Sequence, residues 1–201
     1  MTYSNLRELA ARYTLVLGSG SPRRVELLSE LGIAFAQMIP DIHESIEDHE
    51  EPYHYARRLA QDKALEIGRI SPPDHIVLGC DTIVVLGDHL LEKPNDQKHA
   101  FEILRLLSGK QHVVCSAAAF VCRSNVLASG YELTKVFFNS VSDEEIESYI
   151  DTGEPMDKAG AYGIQGMGSF LVDRIEGNLD TVVGLPRTLI ERLAGEALLV
   201  I

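Results

Sequence analysis

The sequence predicts an α/β protein built on a mixed, twisted sheet flanked by helices. Short apolar runs alternate with stretches of helical period along most of the chain. Two long strand-like segments, 113–122 and 126–138, are separated only by a turn at 123–125, so one antiparallel pair sits among the other connections. The glycine-rich stretch from Gly153 to Gly168 lies between two patterned segments, not where a linker between domains would fall.

Each element follows from local signals. Leu6, Leu9 and Tyr13 suggest a short added helix in an N-terminal extension, residues 1–13, ahead of a single domain spanning 14–201. Thr14 to Leu17 is an apolar strand that runs into a small-residue loop and then a helix. Ser21 is the natural N-cap of that helix, Pro22 suits its first turn and Gly32 stops it. A second helix, from Pro52 to about Ile67, precedes strands at 76–78 and 83–86, and Gly87-Asp88 turns the chain into Leu90-Leu91. A third helix spans about 96–107, before the antiparallel pair. Ser142 and Glu145 form a capping box for a helix ending near Thr152. A strand at 170–175 and a final helix begun by Pro186 complete the pattern.

The chain of 201 residues, 45% hydrophobic and 24% charged, suits one or at most two closely joined domains. Glu8 falls where a signal peptide would need its apolar core, and no apolar run is long enough to span a bilayer, so a cytoplasmic protein with no membrane partner is expected. Cys80, Cys115 and Cys122 are odd in number and lack Cys-x-x-Cys spacing, which fits reduced thiols better than a disulfide or zinc framework. None of the histidines forms a His-x-x-x-His pair. A net charge of −12 argues against a nucleic-acid surface, so an anionic ligand must be small and locally held. Much of the acidic excess lies between Asp41 and Glu51, where a solvated loop is expected.

Three stretches carry candidate chemistry. Five glycines around Glu154, Asp157, Lys158 and Gln165 are costly to order unless the backbone turns sharply or approaches something closely. In Gly18-Ser19-Gly20-Ser21-Pro22-Arg23-Arg24, a glycine-rich turn feeds a helix N-terminus and presents free N–H groups to an anion. The dinucleotide fingerprint fails here because Arg23 occupies the third glycine position, and Ser108-Gly109-Lys110 fails as a P-loop because Leu104 replaces the upstream glycine. Two arginines at a helix start oppose the macrodipole, a cost that makes sense if an anion binds between them. In Gly79-Cys80-Asp81-Thr82 an acid and a hydroxyl join two apolar runs, either as a turn cap or as catalytic groups. Lys63 and the Lys93 of Glu92-Lys93-Pro94 read singly as surface lysines.

These blocks, together with Asp41 to Glu44, Lys63-Ala64 and Val183-Gly184-Leu185-Pro186, resemble the Maf-like nucleoside triphosphate pyrophosphatases, which are related in fold to the inosine triphosphatases. The resemblance runs from Leu15 to about Leu193 and rests on the order of seven blocks, each weak alone. The run Asp157-Lys158-Ala159-Gly160-Ala161-Tyr162-Gly163-Ile164-Gln165-Gly166 resembles the branch acting on dTTP and UTP, as distinct from the 7-methyl-GTP branch.

The resemblance implies an inosine-triphosphatase-like fold in two lobes around a central cleft, and hydrolysis of a nucleoside triphosphate between its α and β phosphates. That reaction must neutralise about four negative charges and activate an in-line water. The implied catalytic residues are Asp81, as general base, with Lys93 and Arg24. Ser19, Ser21, Arg23, Lys63, Thr82, Lys158 and Gln165 are the implied substrate-binding residues, the serine loop and Lys63 facing phosphate while Arg23, Thr82 and Gln165 select the base. Glu44 and Asp81 are the implied ligands of a divalent cation, Mg²⁺ or Mn²⁺, and because a base and a ligand compete for one carboxylate, Glu44 takes more of the coordination. A carboxamide at Gln165 offers both a donor and an acceptor to the pairing edge of uracil or thymine. The glycines would let the chain close over the nucleotide, and a homodimer is common in the family. The pattern departs at His43, where an acid is common, at Cys80, which replaces a common alanine, and at Leu179-Asp180, where an aromatic and an asparagine are usual. A nucleotide-sensing or division-linked regulator and a purine triphosphatase stand as alternative readings.

Overall fold

Strands β1 (Thr14–Gly18), β2 (Ala36–Met38), β3 (His75–Leu86), β4 (His89–Leu91), β5 (Gln111–Cys122), β6 (Asn125–Phe138) and β7 (Val172–Glu176) form one mixed sheet. Their order is β2-β1-β3-β5-β6-β7, with β4 paired to β3. β1 pairs in parallel with both β2 and β3, while β3–β4 and β6–β7 are antiparallel. The helices are α1 (Ser4–Arg12), α2 (Pro22–Ser29), α3 (Pro52–Ile70), α4 (Gln97–Leu107), α5 (Asp143–Ile150), α6 (Leu179–Val183) and α7 (Arg187–Leu198). This computed structural model describes residues 2–201, so Met1 of the expected extension lies outside the described residues.

The chain divides into two units. The first comprises the chain through Asp81 with Ser116–Glu132 and Gly184–Ile201, and the second comprises Thr82–Cys115 and Leu133–Val183. In the first unit the extension forms the expected helix, with Leu6 and Leu9 fully buried. α1 has no capping side chain of its own. Glu191 of α7 caps it instead, accepting from the amides of Asn5 at 2.9 Å and Leu6 at 3.0 Å and from the Ser4 hydroxyl at 3.3 Å.

The second unit has its own core, in which Ala100, Ile103, Leu104 and Leu107 of α4 meet Val84, Val114, Val136 and Tyr149. The Ser142–Glu145 capping box forms as expected. His112 on β5 is 1% exposed. Its Nε2 lies 2.8 Å from the Tyr162 hydroxyl, and edge contacts to Phe138 and Tyr162 enclose the ring. Nδ1 has no hydrogen-bond partner among the described residues. Burial pushes the imidazole down from 6.5 to about 4.

Several sequence expectations are corrected. β3 is one continuous strand where two were expected, because Gly79 and Asp81 look like breakers locally but serve a tertiary contact described below. β2 and α6 escape the sequence patterns, β2 being three half-buried or exposed residues on the sheet edge. Phe170 belongs to a 3-10 turn, Met167–Leu171, that precedes β7. Ser21 occupies the N-cap position of α2, yet its side chain makes no capping bond. The three cysteines are free and buried, and no described helix is long and apolar enough to cross a membrane.

Glu191→Ala should lower stability by about 1–2 kcal/mol, read as a lower denaturation midpoint with an unchanged slope. The folded protein keeps His112 neutral while the unfolded chain protonates it, so the unfolded state binds more protons below 6.5. Stability should therefore be intact above about pH 6.5 and fall by up to about 3 kcal/mol as pH drops towards 4. Denaturation across that range should show a shallower loss in His112→Phe.

Candidate active site

Lys63 lies on the buried face of α3 beside Leu59, Ala60, Ala64 and Ile67. A lysine is rarely buried without a partner. The partner is supplied by the approach of β3. A side chain at Gly79 would overlap the Ala60 carbonyl oxygen and put its Cβ 2.8 Å from the Ala64 Cβ, so glycine is what lets strand and helix meet. Strand alternation puts Asp81 on the same face as Gly79, toward α3. The Lys63 ammonium donates to Asp81 Oδ1 at 2.6 Å and pairs with Glu44 Oε1 at 2.8 Å. Asp81 is 5% exposed, whereas Glu44 is on the surface. Three residues from separate sequence blocks thus share one charge cluster.

The serine loop is held from three sides. Arg24 donates from Nη1 to the Ser19 hydroxyl (3.1 Å) and the Cys80 carbonyl (2.9 Å), and from Nε to the Gly184 carbonyl (2.9 Å). The Ser21 amide also donates to the Ser19 hydroxyl, and Gln37 on β2 binds the Ser19 carbonyl at 2.8 Å. The buried Ser19 side chain therefore organises the loop, and Arg24 fastens it to the residue before Asp81. Arg23 is half-buried.

The acidic segment is an exposed loop without regular structure, as expected, but it is also tethered to α3. Arg58 of α3 grips both Glu50 oxygens at 2.7 Å, donates to the Ser45 carbonyl at 2.8 Å and pairs with Asp62 at 3.2 Å. Hydrogen bonding to this guanidinium holds the Glu50 carboxyl below its ordinary value, outweighing the opposing effect of burial. Arg58 and Lys63 stand on the same helix, so the strap carries Glu44, next to Ser45, onto Lys63. Sequence reasoning missed Arg58 and Gln37. The Arg58–Asp62 spacing marks a helix pair, but nothing local ties it to Glu50.

The remaining candidates belong to the second unit. In the glycine loop, Glu154 accepts from the Met167 amide (2.8 Å), the Gly168 amide (3.2 Å) and the Tyr149 hydroxyl (2.9 Å), and the Gly163 amide donates to that hydroxyl (3.0 Å). Burial would raise the Glu154 pKa, but these bonds and the nearby Lys158 hold it below its ordinary value. Three of the five glycines are explained by this arrangement, while Gly153 and Gly160 adopt positive φ. A Cβ at Gly163, Gly166 or Gly168 would strike Glu154 or Tyr149, so the chain closes around a carboxylate of its own. Lys158 bonds the Glu154 carbonyl (2.6 Å) and Asp157 (2.7 Å). The Gly160 amide donates to the Glu92 carbonyl at 3.2 Å, which joins the loop to the Lys93 block. Lys93 and Gln165 are exposed, and Thr82 is half-buried.

A family model described as Maf-like protein matches residues 14–197. The chain belongs to the Maf-like family. The match starts where α1 ends, so the extension lies ahead of the shared Maf-like region. A dTTP/UTP pyrophosphatase of Salmonella typhimurium strain LT2 is 49% identical over 86% of this chain and 87% of its own length. A dTTP/UTP pyrophosphatase of Vibrio cholerae serotype O1 is 46% identical over 86% of this chain and 91% of its own. The crystal structure of a nucleoside-triphosphatase/dITP/XTP pyrophosphatase from Mycobacterium abscessus aligns over 92% of this chain and 97% of that one, at 14% identity and a TM-score of 0.44, too loose a likeness to bear on function.

Arg58→Met should release the strap. Limited proteolysis of the variant should show faster cleavage within residues 41–50 than in the wild type, while global stability falls by no more than about 1–2 kcal/mol.

Proposed function

We propose that this Maf-like protein hydrolyses dTTP and UTP to the nucleoside monophosphate and pyrophosphate. One observation carries the reading: Asp81 and Glu44 converge on the Lys63 ammonium, in a chain 49% identical to a relative named dTTP/UTP pyrophosphatase. Asp81, held by Lys63, takes the proton of the attacking water. Lys63, Arg24 and Lys93 offset charge on the phosphates and the departing pyrophosphate, and the amides of the serine loop add hydrogen bonds at the start of α2. Arg23, Thr82 and Gln165 select the base, with Lys158 in the polar framework of the site.

The residues fit a divalent cation. Among the described residues no group of three or more His, Cys, Asp or Glu side chains is arranged to hold a metal. Two carboxylates converging on one cationic group nevertheless match Mg²⁺ or Mn²⁺, which take one or two protein carboxylates and fill the rest of the shell with water and phosphate oxygens. Glu44 and Asp81 would hold the ion, which supplies charge neutralisation at the phosphate oxygens.

Pyrophosphate release from a panel of purine and pyrimidine triphosphates, with and without Mg²⁺, tests the reading. dTTP and UTP should lead the panel, and a purine preference would overturn it. Asp81→Asn should still bind dTTP while turnover falls by about 10²–10⁴-fold. Near-normal turnover at saturating Mg²⁺ would remove Asp81 from the role of base.

A further inference from the structure

The bend that carries Gln165 is fixed at both ends by one pair of side chains. On its N-terminal side the Gly163 amide donates to the Tyr149 hydroxyl, and on its C-terminal side the Met167 and Gly168 amides donate to the Glu154 carboxylate. The Tyr149 hydroxyl donates in turn to Glu154, so the two ends are joined through a short chain of hydrogen bonds. Gln165 stands exposed between these anchors, with Ile164 packed on the core beneath it. A Cβ at Gly166 would lie 2.6 Å from Glu154 Oε1, so the backbone next to Gln165 is pressed against the carboxylate itself.

We propose that Glu154, acting with Tyr149, is a positioning residue for base selection: it sets the backbone from which Gln165 reads the pairing edge of a pyrimidine. The inference rests on the base-selecting role proposed above for Gln165. The chemistry requires a carboxylate. Three donors converge on Glu154, and a carboxamide in its place would present an N–H₂ group to at least one of them and leave that donor without an acceptor. A selective contact depends on the placement of one donor and one acceptor against the O4 and N3–H groups of uracil or thymine, whereas phosphate charge is recognised elsewhere. Loss of the clamp should therefore affect the choice of base more than the rate on any triphosphate.

The experiment compares kcat/KM for dTTP and dCTP, with Mg²⁺, in wild type, Glu154→Gln, Tyr149→Phe, Gln165→Ala and the Glu154→Gln/Gln165→Ala double variant, each checked for cooperative unfolding. The expected result is a loss of dTTP preference of about tenfold or more in Glu154→Gln, approaching that of Gln165→Ala, with no further loss in the double variant. Tyr149→Phe removes one hydroxyl and should move the ratio in the same direction, so it carries the test if Glu154→Gln does not fold. A preference that falls in Gln165→Ala but stays at the wild-type value in Glu154→Gln and Tyr149→Phe would overturn the inference and leave the reading of Gln165 intact. A Glu154→Gln effect that persists in full without Gln165 would overturn it as well. An unchanged preference in Gln165→Ala would remove the base-reading role and the inference together.

Discussion

The Lys63 ammonium is the point on which the first unit turns. Asp81 is almost fully buried, and an ionised carboxylate in that setting costs several kcal/mol unless a counter-charge sits against it. Lys63 provides that charge, but only because α3 and β3 approach closely enough for the two groups to meet. The approach depends on Gly79, whose missing side chain leaves room for the Ala60 carbonyl and the Ala64 methyl. Backbone packing, charge compensation and the candidate chemistry are therefore one arrangement. Glu44 completes the cluster from a more exposed position, where solvent screens its pairing with Lys63, and the strap through Arg58 keeps it in place.

The same arrangement addresses a problem of sign. A chain with a net charge of −12 repels a triphosphate at long range, and screening confines any attraction to about 8 Å at physiological salt. Favourable binding must come from cations close to the ligand, with nearby acids neutralised. Arg58 contributes to this by pairing with Glu50, Glu47 and Asp62, so part of the acid-rich segment is balanced. Arg24, by contrast, spends bonds on Ser19, Cys80 and Gly184. It gives the serine loop its shape as well as its charge.

What was legible in the sequence was whatever depended on neighbours in the chain. The capping box at Ser142 and Glu145, Pro22 at the head of α2 and the long β5–β6 pair follow from short-range rules and form as expected. Features set by distant partners were misread or missed. Gly79 and Asp81 looked like a break between strands because what requires them, the packing of the preceding helix α3 on β3, is a tertiary contact that no local pattern marks. Arg58 is not singled out by any local pattern, because its partner Glu50 sits in a segment without regular structure. The resemblance implied Glu44 and Asp81 at one cation and Lys63 at the phosphates, but not that the Lys63 ammonium joins the two carboxylates. In the glycine loop the cost of five glycines was visible from composition, while the cause of three of them, a carboxylate and a tyrosine hydroxyl at the centre of the bend, was not.

The Glu154 clamp also bears on how the loop responds to a ligand. A glycine-rich segment left free would have to be ordered on binding, at roughly 1–2 kcal/mol of backbone entropy per residue. Here the amides of Gly163, Met167 and Gly168 are already engaged within the protein. The stretch with the most glycine in this sequence is therefore preorganised, and interaction energy gained there remains available for discrimination.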